Sequence, residues 1–173
     1  TDEFMRRAIE GLEPYAGIFR EIISSAWRTG DPGLYFIDAA ERFNPTPHLG
    51  KLTGTNPCGE VPLLDNEPCN LGSLNVANFV HSGHLDWDSI RESTRIAIRF
   101  LDQILDENTF PVPEITNAAL LTRKLGLGPM GWADALALMK IPYDSSEAVE
   151  VGADLMYTIN YEARKESEAV GLQ

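Results

Sequence analysis

The chain has 173 residues, 43% hydrophobic and 23% charged, the balance of an ordinary globular domain with room for one core. With 14 Lys and Arg against 26 Asp and Glu its net charge is −12, which repels a phosphodiester backbone and argues against a nucleic-acid partner. A small anionic ligand is still allowed, because local amides and helix N-termini suffice to hold one.

No apolar run approaches the roughly 18–20 residues of a membrane span. The first residues, Thr1 to Arg7, are too polar for a secretion signal, and two cysteines are too few for a disulfide scaffold, so cytoplasm is the expected compartment. Position 1 is not Met and Tyr161 to Gln173 reads as helix without a stop, so the chain is expected to be an internal piece of a longer protein.

In chain order, Ile18, Ile22, Ile23, Ala26 and Trp27 recur at helical spacing, predicting a helix over 15–28 after Pro14 and before the Gly30-Asp31-Pro32-Gly33 stop. Leu34 to Ile37 is a short apolar run between turn residues and predicts a buried strand, with a brief helical turn at 38–43. Residues 44–68 lack periodicity and hold many Pro and Gly. They predict a loop of about 25 residues, long enough to suggest a functional segment.

Leu71 to Val80 reads as strand and His81 to His84 as a turn. Asp86 caps a helix of about 20 residues whose face is Trp87, Ile90, Thr94, Ala97, Leu101, Ile104 and Leu105, ended by Asn108 and Pro111. Lys124 to Gly128 predicts a strand leading into a helix from Pro129 to about Lys140. Asp144 and Glu147 predict a capping box for a last helix, facing inward through Val149, Ala153, Met156, Ile159 or Asn160, and Ala163. The alternation predicts one α/β domain with parallel strands and no second domain.

Both cysteines lie in or beside the long loop. If it is extended, a period of two places Asn56, Cys58 and Glu60 on one side, an amide, a thiol and a carboxylate able to converge on one ligand. Asn-Pro and Cys-Gly are also ordinary turn pairs, and Cys69 fits a buried, inert strand cysteine. Spacing does not separate the two readings.

The residue strings go further. Asn56-Pro57-Cys58-Gly59-Glu60, then Pro68-Cys69-Asn70-Leu71-Gly72-Ser73-Leu74-Asn75, resembles the catalytic subunit of ribonucleotide reductases. Asp31-Pro32-Gly33-Leu34-Tyr35-Phe36-Ile37-Asp38 with Asn44-Pro45-Thr46 upstream, and Arg123 to Asp134 downstream, are similar to further blocks of that family in the same order.

The resemblance implies an α/β fold, part of a ten-stranded α/β barrel of two five-stranded halves, with a finger loop at about 44–68 carrying the catalytic cysteine. It implies that Cys58 becomes a thiyl radical removing the 3′ hydrogen of the substrate ribose, that Glu60 takes the 3′-hydroxyl proton, and that Asn56 hydrogen-bonds the ribose. Substrate contact is implied for the whole run Asn56, Pro57, Cys58, Gly59 and Glu60. Cys69 is implied to be one of two reducing thiols, its partner lying outside the chain. A ribonucleoside di- or triphosphate as substrate, a thioredoxin- or glutaredoxin-type reductant and a homodimeric full-length enzyme belong to the same expectation.

Pro57 and Gly59 around the cysteine, with Cys69-Asn70-Leu71-Gly72-Ser73, are most similar to the class II enzymes, which use adenosylcobalamin; Val61 departs from the polar residue common there. The alternative within the family is a class I large subunit with a metal-containing radical partner. Outside it stand a thiol–disulfide oxidoreductase using Cys58 and Cys69 directly, and a non-catalytic module. The isolated chain is expected to be inactive.

Other signals read as structural. His81 and His84 fit a solvated turn, and His48 has no assigned role. Gly126, Gly128 and Gly131 lack the placement of a dinucleotide fingerprint and fit strand-on-helix packing, with a contribution to the barrel floor or cofactor face as the alternative. Asp86, Asp88, Asp102, Asp106 and Glu107 read as a solvated helix face, with no metal expected.

Overall fold

The computed structural model describes residues 1–172 and divides into two compact units, Thr1–Asn66 and the residues from Glu67 onward.

The first unit opens with α1 (Asp2–Ile9), capped by the Thr1 hydroxyl, which accepts a hydrogen bond from the Phe4 N–H at 3.1 Å. Its Phe4 ring meets the Tyr15 ring edge-on with centroids 5.9 Å apart, and Arg7 lies over Tyr15 while donating to its hydroxyl at 2.7 Å. Tyr15 begins α2 (Tyr15–Thr29), which ends where Gly30 turns left-handed at φ 84°. Of this predicted helix only Ala16 is buried; Ile18, Ile23 and Trp27 are exposed.

The strand expected at Leu34–Ile37 is not formed. Leu34, Tyr35 and Phe36 are exposed and irregular, and Ile37 starts the short helix α3 (Ile37–Glu41). A strand needs a neighbour to complete its ladder, and none of the described residues pairs with this run. The long loop contains a small antiparallel hairpin, β1 (Gly54–Thr55) against β2 (Pro62–Leu63).

The second unit is built on two parallel strands, β3 (Asn70–Asn75) and β6 (Leu125–Met130), paired from Asn70↔Leu125 to Asn75↔Met130. Between them run a 3₁₀ turn (Val76–Phe79), the hairpin of β4 (Val80–His81) and β5 (His84–Leu85), and the helices α4 (Trp87–Glu107) and α5 (Pro113–Thr122). After β6 come α6 (Trp132–Met139) and α7 (Ser146–Gly171). The parallel pairing agrees with the expected α/β pattern, and six of its residue pairs are in register. The described residues contain no closed sheet.

The α4 cap is Asp86, whose carboxylate accepts from the Ser89 N–H at 3.1 Å and the Ser89 hydroxyl at 2.7 Å. Its buried face is Ile90, Thr94, Ile98, Leu101 and Leu105, close to the predicted stripe. The core joins Val76, Leu85, Ile90, Ala135, Leu155 and Ile159. On the flank, Arg95 donates to Glu162 at 2.7 Å and Arg99 to Glu166, so α4 and α7 run parallel with two ion pairs one turn apart.

Several predicted boundaries move; the strand expected from Leu71 to Val80 already ends at Asn75. Pro129 and Met130 continue β6, opposite Leu74 and Asn75, so α6 starts only after Gly131 turns the chain at φ 67°. A Cβ on Gly131 would fall 2.2 Å from Asn75 Oδ1, so the turn also needs a residue without a side chain. Ser145, not Asp144, caps α7, its hydroxyl accepting from the Ala148 N–H at 3.1 Å. The buried face of α7 is therefore Ala148, Leu155, Ile159, Glu162 and Glu166, leaving Val149 exposed. Helices α1 and α5 were not anticipated. Among the described residues no helix is long and apolar enough to cross a membrane.

Candidate active site

The Cys58 segment is shaped by the hairpin around it. Above the pairs Gly54↔Leu63 and Thr55↔Pro62, the Asn56 N–H donates to the Val61 carbonyl at 3.3 Å. The return bond does not use the Asn56 carbonyl. Instead the Val61 N–H donates to the Asn56 side-chain Oδ1 at 3.0 Å, freeing the carbonyl to accept from the Gly59 N–H at 3.0 Å. This second bond closes a four-residue turn, Asn56 to Gly59, with Pro57 at the position that favours its fixed φ and Gly59 left-handed at φ 83°.

The expected extended chain with Asn56, Cys58 and Glu60 on one side is thus replaced by a tight turn. The reason is local: Pro57 presets a turn, and Gly59 accepts the positive φ that a following side chain resists. Cys58 occupies the apex with its thiol exposed, and Pro57, Gly59 and Glu60 are exposed beside it. Asn56 is half-buried at the base, its Oδ1 committed to Val61 and its Nδ2 making no hydrogen bond among the described residues.

Below the hairpin the loop is held by side chains that the sequence did not mark. Glu41 accepts from the Leu52 N–H at 2.8 Å and from Asn44 Nδ2 at 3.2 Å, and Asn44 also bonds the Gly50 carbonyl at 3.0 Å. Thr53 donates its hydroxyl to Asp65 at 2.9 Å across the base of the hairpin. His48 is exposed in this loop.

Cys69 belongs to the second unit, one residue before β3. It is half-buried, with Sγ 3.5 Å from the Asn70 carbonyl, a weak S–H donor contact. Neither cysteine is in a disulfide. The Asn70 side chain points the other way, donating to the Leu101 carbonyl at 3.1 Å and accepting from Asn108 Nδ2 at 3.3 Å. Even-numbered residues of β3 therefore face α4, and Cys69, Leu71 and Ser73 take the opposite face.

On that opposite face the neighbouring strand offers Gly126 and Gly128. A Cβ on Gly126 would lie 3.7 Å from Cys69 Sγ and 2.4 Å from Leu71 Cδ2, while one on Gly128 would meet nothing within 4 Å. Of the glycines expected to serve strand-on-helix packing, Gly126 makes room for the Leu71 side chain and lies beside Cys69, on the sheet face turned away from α4.

Sequence reading missed the most buried charges here. Glu67, its side chain 0% exposed, accepts from the Lys124 ammonium at 2.7 Å, Lys124 being 12% exposed. The only local signal was a carboxylate shortly ahead of one predicted strand and an ammonium at the start of another.

The acidic residues of α4 are not uniformly solvated as expected. Asp86 caps the helix. Arg123 makes forked bonds to Asp102, at 2.7 and 2.9 Å, and to Asp106, at 2.8 and 3.0 Å. The Arg123 guanidinium pulls the Asp106 carboxyl below its ordinary range. His81 and His84 pair across β4 and β5 and are exposed. Among the described residues no three His, Cys, Asp or Glu side chains are grouped to hold a metal ion.

Residues 11–171 match the family model described as ribonucleotide reductase, barrel domain. The chain is 49% identical over 154 residues to a vitamin B12-dependent ribonucleoside-diphosphate reductase of Mycobacterium tuberculosis (strain CDC 1551 / Oshkosh), covering 89% of this chain and 22% of that protein. It is 49% identical over 154 residues to the protein of that name from Thermoplasma acidophilum, covering 88% and 20%. Against the ribonucleoside-diphosphate reductase subunit alpha of Chlamydia pneumoniae it is 36% identical over 150 residues, covering 84% and 14%. The chain spans about a fifth of the length of the two B12-dependent relatives.

Proposed function

The chain belongs to the ribonucleotide reductase barrel-domain family, and from that premise we propose that it carries the radical cysteine of an enzyme that reduces ribonucleotides to 2′-deoxyribonucleotides. The single observation that carries this reading is the Cys58 thiol, exposed at the apex of a turn whose base is latched by Asn56.

In this reading the Cys58 thiyl radical takes the 3′ hydrogen of the ribose, forming an S–H bond and leaving a carbon radical. Glu60 accepts the 3′-hydroxyl proton, which assists loss of the 2′-hydroxyl as water. Cys69 and a second thiol outside this chain supply two electrons and two hydrogens, ending as a disulfide. Cys58 then returns its hydrogen to the 3′ carbon. The net change is one ribonucleotide and two thiols giving one deoxyribonucleotide, one disulfide and water. A thioredoxin- or glutaredoxin-type dithiol restores the pair.

We assign adenosylcobalamin as the initiator, supported by the greater identity to the B12-dependent relatives than to the subunit alpha, and ribonucleoside diphosphates as substrates, the class in the names of both kinds of relative. When bound, that cofactor supplies a carbon-centred radical by breaking its carbon–cobalt bond. The exposed apex fits this, because Cys58 has to be reachable by an initiator.

The test is turnover by the full-length enzyme with and without adenosylcobalamin, for the parent and Cys58→Ser. Deoxyribonucleotide formation that needs both the cofactor and Cys58 is expected. Formation by Cys58→Ser would overturn the radical assignment, and formation by the parent without cobalamin would overturn the initiator.

A further inference from the structure

We infer that the buried Glu67–Lys124 ion pair is a positioning device for the Cys69 thiol, holding it at the mouth of the β3–β6 pair beside a charge that sums to zero. The inference rests on the reading of Cys69 as a redox thiol and adds to it two residues with no role so far.

The placement follows from register. Asn70 pairs with Leu125, so Cys69 and Lys124 are the next residues back along two parallel strands. Gly126 shares the face of Cys69 and Leu71, as the 3.7 Å and 2.4 Å approaches of its missing Cβ require. With a period of two, Lys124 leads onto the same face. Glu67, two residues before Cys69, reaches that face too, because its carboxylate meets the Lys124 ammonium at 2.7 Å. The thiol is therefore flanked along the chain by the acid and across the strands by the base.

Such a pair has to be explained. Taking two charges out of water is expensive, and hydrophobic residues of similar volume often do as well or better for stability. Its location gives the reason. The ion pair ties together the two lead-in segments, which the strand ladder has not yet joined, and Cys69 stands between its members in sequence. Arg123, the residue before Lys124, is taken up by Asp102 and Asp106 of α4. Glu67 and Lys124 are the charged residues closest to Cys69 in its own segment and at the matching place on the neighbouring strand.

A neutral pair beside a thiol leaves its acidity nearly balanced, and removing one member unbalances it in a direction set by the survivor. With Glu67→Gln the remaining ammonium favours the thiolate. With Lys124→Met the remaining carboxylate opposes it.

The experiment is alkylation of the reduced full-length protein by iodoacetamide over a pH series, with modification of Cys69 localised by mass spectrometry. The pH midpoint for Cys69 is expected to fall by about one unit in Glu67→Gln and to rise by about one unit in Lys124→Met. Lys124→Arg should return it close to the parent value, and so should Glu67→Gln with Lys124→Met together, a variant whose neutral pair is also the safest to fold. A purely structural role loosens both single variants alike, so midpoints that move the same way, or not at all, would overturn the inference. Normal multiple turnover by Cys69→Ser would instead sink the underlying reading of Cys69, whatever the alkylation midpoints show.

Discussion

The Val61 N–H donates to the side-chain oxygen of Asn56 rather than to its carbonyl, at 3.0 Å, and this substitution lets the Asn56 carbonyl close the turn that carries Cys58. One residue thus holds the apex from both sides, through its side chain to Val61 and its main chain to Gly59.

Replacing Asn56 by Ala should loosen the apex without unfolding the protein. Losing one hydrogen bond of this kind is worth about 1 kcal/mol, and loss of an amide contact to substrate adds a similar amount. A fall in kcat of roughly tenfold or more is expected in the full-length enzyme, with little change in thermal midpoint. An unchanged kcat would remove Asn56 from the site.

The two cysteines should fail differently. Cys58→Ser is expected to abolish turnover altogether, because an alcohol O–H bond is too strong to exchange hydrogen with a ribose carbon. Cys69→Ser should leave the first steps intact and block repeated turnover with a dithiol reductant. Single-turnover and steady-state assays on the same preparations distinguish the two, and matching profiles would contradict the division of roles.

In the second unit, Leu155 is 1% exposed in the core with Ile90 and Ile159. Leu155→Ala deletes most of a buried side chain and is expected to cost about 2–5 kcal/mol. Urea unfolding of parent and variant measures this, and a cost below about 1 kcal/mol would mean that the core closes over the space.

The Glu162 carboxyl sits below its ordinary value of 4.5, chiefly because Arg95 donates a hydrogen bond to it. A depressed carboxyl contributes stability that is present above its unfolded value and lost as pH falls through the lower folded one. The thermal midpoint should therefore drop on acidification below about pH 4.5, and less steeply in Glu162→Gln. Equal acid slopes in the two proteins would assign the loss to other groups.

Much of the fold could be read in advance where the cause is local. The stripe of α4, its Asp86 cap, the end of α2 at Gly30 and the strands near 70 and 125 follow from periodicity, capping and turn residues within a few positions. The failures share a different cause. Leu34–Ile37 has strand-like residues but finds no partner among the described residues. Gly131, needed where a side chain would strike Asn75, moved the start of α6. On α7 the inward face included Glu162 and Glu166, which periodicity of apolar residues passes over because their burial depends on Arg95 and Arg99 of another helix.

By itself the sequence determined the family resemblance and its order of blocks, and placed Cys58 within the long loop and Cys69 beside it, because these are properties of contiguous residues. Tertiary structure alone decided that Asn56 latches a turn rather than lining an extended chain, that β3 and β6 pair in one register, and that Glu67 meets Lys124 across 57 residues of chain. Partners so far apart leave no mark on each other's local sequence. Only the folded backbone brings their charges and hydrogen-bonding groups within reach, and burial then makes those contacts matter.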